Sequence, residues 1–144
     1  MNLGIYLSSL SKKEELKEIH EAIDCIINNK VDDVSIFYDD ISYTEVKSKC
    51  GMFNSTDLWN FKGDLIVTSI NCLYSSKNIV NNINLIYYYG LEKKSNLFTT
   101  LQAISIPDKI ICKTKEDASY LYRISGKKID CTAQNFKELL EKIS

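Results

Sequence analysis

The chain has 144 residues, 44% hydrophobic and 26% charged, with 18 Lys+Arg against 19 Asp+Glu and a net charge of −1. This length suits one domain, residues 1–144, that buries a core without staples, and the composition excludes a wholly disordered chain. The near-neutral balance gives no long-range attraction to nucleic acid or anionic lipid.

Leu3-Gly4-Ile5-Tyr6-Leu7 is a short apolar run of the kind a buried parallel strand needs. Ser11 and Glu14 then form a capping box. The helix they open sets Leu16, Ile19, Ile23, Ile26 and Ile27 on one face and ends at Asn28-Asn29. Val34–Tyr38 is a second strand, closed by Asp39-Asp40. From Ile41 to Lys62 the pattern is least regular, with a short helix over Ser55–Phe61 ended by Gly63. Leu65–Thr68 is a third strand, Asn71–Asn81 a helix and Ile83–Tyr89 a fourth strand ending at Gly90. Ser95 caps a helix through Ile104, and Lys109–Cys112 is a fifth strand. Thr114 with Asp117 opens a helix stopped by Gly126, Lys128–Cys131 is a sixth strand, and Phe136, Leu139, Leu140 and Ile143 mark a last helix. Strands alternating with helices predict right-handed crossovers and a doubly wound, mostly parallel, six-stranded Rossmann-like α/β sheet with helices on both faces.

Several chemistries are missing. The loop after the first strand, Ser8-Ser9-Leu10-Ser11-Lys12-Lys13, has no glycine, which disfavours dinucleotide, P-loop and methyltransferase-type phosphate cradles. His20 is the single histidine, read as a surface or boundary residue, and five widely spaced cysteines include no C-x-x-C, so neither a zinc site nor a histidine relay is expected. Cys25 and Cys112 read as small buried hydrophobes and the thiols as reduced, in a cytoplasmic protein. No metal and no cofactor are expected. Arg123 is the single arginine, which speaks against nucleic-acid recognition, and three Lys pairs read as solvated surface. No apolar run reaches a membrane span, and the start lacks signal-peptide features. Ile, Lys and Asn make up a third of the chain, a bias with A/T-rich codons that points to a low-GC genome, viral or bacterial.

In a doubly wound sheet, ligands bind outside the carboxyl ends of the strands. The polar residues there are Ser8, Ser9, Asp39, Thr68, Ser69, Gly90, Glu92, Lys113 and Thr114, with Glu92 as an acid or base candidate. The Ser8-Ser9-Ser11 hydroxyls leave room for a small flavodoxin-like nucleotide binder. Tyr87-Tyr88-Tyr89 reads as two inward rings and one partly exposed tip. The segment holding Met52, Phe53, Trp59 and Phe61 is rich in large apolar residues, as a helix packed on the sheet or a protein-binding patch would be.

Gly63-Asp64-Leu65-Ile66-Val67-Thr68, the strand ending Tyr89-Gly90-Leu91-Glu92, and Pro107-Asp108-Lys109-Ile110-Ile111-Cys112 with its Thr114–Asp117 helix start resemble the N-terminal half of GT-B glycosyltransferases over residues 63–131. The resemblance implies a Rossmann-like half-enzyme that needs a second glycosyltransferase-like half as partner, or a domain kept for binding. The alternative is a non-enzymatic interaction module that presents the Met52–Phe61 segment to a partner such as a host protein.

Overall fold

The computed structural model describes residues 2–9, 17–22, 33–40, 50–79, 83–92 and 95–143. Among these residues seven strands form one parallel sheet: β1 (Asn2–Ser9), β2 (Asp33–Asp40), β3 (Gly51–Asn54), β4 (Gly63–Val67), β5 (Ile83–Tyr89), β6 (Lys109–Cys112) and β7 (Cys131–Thr132). Their order is β3-β2-β1-β4-β5-β6-β7, the arrangement of a Rossmann-like domain. Helical backbone at 17–22 (α1) is followed by α2 (Ile70–Lys77), α3 (Leu97–Ile104), α4 (Lys115–Ser125) and α5 (Phe136–Ile143).

Period-2 alternation divides the core into two layers. On one face Leu3, Ile5, Leu7, Ile36, Ile66 and Tyr88 pack with Ile19 of α1 and Phe136, Leu139 and Leu140 of α5. On the other, Tyr6, Phe37, Leu65, Val67, Tyr87 and Ile110 pack with Leu73 of α2, Ile104 of α3 and Leu121 of α4. The expected α/β architecture, with helices on both faces, is therefore present.

The differences from the sequence reading are local. β3 is an additional edge strand, which no periodicity announced because it is four residues long and mostly exposed. The helix after it is a 3-10 helix, Ser55–Asn60. Asn96, rather than Ser95, caps α3 by accepting the Thr99 N–H. β7 begins at Cys131 because the Asp130 carboxylate, not a strand carbonyl, takes the Ile110 N–H at 3.0 Å. All three tyrosines of β5 are buried: Tyr87 and Tyr89 face α2–α4 and Tyr88 faces α5, where its hydroxyl donates to the Ala133 carbonyl at 2.6 Å. His20, expected at the surface or boundary, is 8% exposed on α1, in a turn whose Ile19 and Ala22 face the core. Cys112 is buried as expected, and burial pushes its thiol up to about 12. The Ser11–Glu14 box, Leu16, Ile23, Cys25, Ile26, Ile27 and Asn28-Asn29 lie outside the described residues.

Candidate functional site

Strand order reverses direction between β1 and β4, so their carboxyl ends flank the crevice where doubly wound folds take ligands. Ser8 is exposed at the end of β1, followed by Ser9, the last residue of that strand. Thr68 is buried just beyond β4, and Ser69 follows as the cap of α2, its hydroxyl accepting the Cys72 N–H at 3.3 Å. A second cap comes from further along the chain. Glu92 Oε1 accepts the Ile70 N–H at 2.8 Å and the Tyr87 hydroxyl at 3.2 Å. A helix start is a natural seat for an anion, and here the anion is the chain's own carboxylate. Burial, and then Glu92, raise the Tyr87 hydroxyl far above its ordinary range, so it remains a donor.

Asp39 and Thr114 are engaged as well. Asp39 Oδ1 accepts the Tyr6 hydroxyl at 2.6 Å across β1 and β2; burial first, then this bond, raises the Tyr6 pKa. Thr114 and Asp117 form the expected reciprocal cap of α4 at 2.9 and 3.1 Å. Lys113 donates its backbone N–H to the Tyr89 carbonyl at 2.8 Å. Gly90 has φ +121°, and a Cβ there would sit 2.8 Å from Lys113 Cβ and 2.9 Å from Asp117 Oδ2. The turns after β5 and β6 thus meet at a glycine. Among the described residues no group of three or more His, Cys, Asp or Glu side chains is placed to hold a metal ion. No helix among them is long and apolar enough to cross a membrane.

A second candidate surface lies at the β3 edge of the sheet. The β2–β3 register sets Phe53 opposite Phe37, and their ring centroids are 6.1 Å apart. Phe61 returns after the 3-10 helix and meets Phe37 edge-on at 5.3 Å. Gly4 makes this position available: a Cβ there would stand 2.9 Å from the tip of the Phe61 ring. Phe37, Phe53 and Phe61, with Asp57 and Asn60, line a surface pocket of about 380 Å³. Leu58 is buried and anchors the 3-10 helix to the sheet, whereas Trp59 is 53% and Phe53 43% exposed. Of the four apolar residues singled out in the sequence, Phe53 and Phe61 share the pocket and Trp59 stands on the adjoining helix. Met52 does not join them, because alternation along β3 turns it to the opposite layer of the core. Phe37, Asp57 and Asn60 were missed; the parity of Phe37 and Phe53 on neighbouring strands becomes visible only once β3 is recognised.

Strand order and switch point define a Rossmann-like α/β domain. No protein-family model matches this chain, and comparison with curated proteins and with solved structures likewise returns no match.

Proposed function

We propose that this chain is a non-enzymatic protein-interaction module built on a Rossmann-like scaffold, with the β3 edge and its 3-10 helix as the binding surface. The observation that carries the reading is the exposure of Phe53 and Trp59 beside the Phe37–Phe61 pocket, since large aromatic rings are favoured interface anchors. The engagement of Glu92, Ser69 and Thr114 in helix caps supports it further, because these polar groups already have partners inside the chain.

Affinity capture from the native cell lysate, with and without Trp59→Ala, tests this. One stoichiometric protein, recovered by the wild type and lost with the variant, is the expected result; the loss in affinity should exceed about 1–2 kcal/mol. Equal recovery with both proteins would sink the reading.

The second reading is a glycosyltransferase-like half that binds a polar ligand. It is supported by exposed Ser8 at the switch point, with Thr68 and Ser69 at the end of the neighbouring strand. A rise in melting temperature with a nucleotide-sugar, abolished by Ser8→Ala, would favour it over the interaction module.

A further inference from the structure

The pocket at the β3 edge has a chemical character beyond being apolar. Phe37, only 4% exposed, forms its floor, while Phe53 and Phe61 form aromatic walls. Asp57, exposed in the first turn of the 3-10 helix, adds a carboxylate, and no described residue forms an ion pair with it. Aromatic faces carry negative charge density, so rings and carboxylate together attract a cation, while the rings cover the methylene stem of a long side chain. An apolar guest would meet the rings but partly desolvate Asp57 without a counter-charge. An anionic guest would be repelled. The strand beside the pocket adds a second constraint. β3 stands last in the strand order, and among the described residues it pairs with β2 alone, so within them its other edge carries backbone groups that another extended chain could pair with.

We propose that this pocket receives a cationic side chain, lysine or arginine, carried on an extended segment of a partner protein that pairs along the outer edge of β3. The inference rests on the interaction reading above and names the partner's chemistry. It differs from a general hydrophobic patch in requiring both the π faces and the Asp57 charge.

The test presents the full chain to immobilised pools of acetylated heptapeptides. Six positions are randomised over Val, Thr, Ile and Tyr, and the centre is fixed as Lys, Arg, norleucine or Glu. Retention on the Lys or Arg pool is expected to exceed that on the norleucine pool by about tenfold, with the Glu pool weakest. Asp57→Asn removes the charge, and Phe53→Leu keeps an apolar wall without a π face. Each is expected to bring the Lys pool down to the norleucine level, with an unchanged far-UV melting curve showing that the fold survives. Norleucine retained as well as lysine, a lysine preference indifferent to both substitutions, or no pool retained would each overturn the inference. The interaction reading is judged separately: capture lost in Trp59→Ala without any cation preference leaves it standing alone, and capture unchanged by Trp59→Ala removes both.

Discussion

Removing the Glu92 carboxylate asks whether this residue is a structural cap or a free acid. Its Oε1 receives the Ile70 N–H at 2.8 Å and the Tyr87 hydroxyl at 3.2 Å, and Tyr87 is 1% exposed. A hydrogen bond to a charged group contributes roughly 1.5–3 kcal/mol, and a buried donor left unpaired costs about 1–3 kcal/mol. Glu92→Ala loses the first and creates the second, so a destabilisation of about 3 kcal/mol is expected. Glu92→Gln keeps an acceptor and loses the charge at the start of α2, which should cost about 1 kcal/mol. With a urea slope of about 2 kcal/mol/M, the alanine variant should lower the unfolding midpoint by about 1.5 M. Tyr87→Phe provides the control. Alone it should cost about 1 kcal/mol, and in the Glu92→Ala background almost nothing, giving a coupling energy of about 1 kcal/mol. A Glu92→Ala variant within about 0.5 kcal/mol of wild type, or a double-mutant cycle without coupling, would refute the assignment and return Glu92 to the pool of free acids.

Tyr88→Phe should cost about 1–2 kcal/mol, because it strips the Ala133 carbonyl of its 2.6 Å donor in a fully buried setting; thermal melts and faster amide exchange at the β7–α5 junction would register it. Gly90→Ala should destabilise by about 2 kcal/mol or more, since it combines φ +121° with a Cβ 2.8 Å from Lys113 Cβ; a stable variant would contradict that packing. Stability should also fall in alkali. Burial raises Cys112 from 9 to about 12 and Tyr89 from 10 to about 12, so the native state keeps protons that the unfolded chain releases. Their contribution is full below pH 9 and is lost as pH rises toward 12; urea midpoints at pH 8 and 10.5 measure the decline, and Cys112→Ala should delay its onset toward pH 10.

Most of the architecture was legible because a parallel sheet announces itself twice. Its buried strands are continuous apolar runs, as in Leu85–Tyr89 and Ile110–Cys112, and its helices carry caps such as Thr114–Asp117 and Gly126. Both signals are local. The β3 edge has neither, since Gly51–Asn54 is short and one of its faces meets solvent. The candidate site was less legible for a related reason. Polar residues at strand ends could be placed on one edge of the sheet, but which would face solvent depended on partners far away in sequence. Glu92 reaches Ile70 over 22 residues and Tyr6 reaches Asp39 over 33. The aromatic pocket was half visible: Phe53 and Phe61 stand out as apolar residues in a polar stretch, whereas Phe37 looks like any strand residue until the register places it opposite Phe53.

The acids that precede β6 and β7 have a counterpart in how the sheet is threaded. Asp108 pairs with Leu85 through both its N–H and its carboxylate, at 2.8 and 2.7 Å, and Asp130 repeats the pattern on Ile110 at 3.3 and 3.0 Å. Each clasp closes a loop of only 23 or 20 residues and pins the incoming strand at its amino end. The β5–β6–β7 half of the sheet can therefore be zipped one short crossover at a time. Among the described residues no such clasp joins β1 and β4: their paired residues lie roughly sixty positions apart, and closing that loop costs about 1 kcal/mol more in chain entropy than closing either clasp. The seam where the winding of the sheet reverses is thus also its longest-range closure among adjacent strands. The crevice that opens there exists only once the two halves have met.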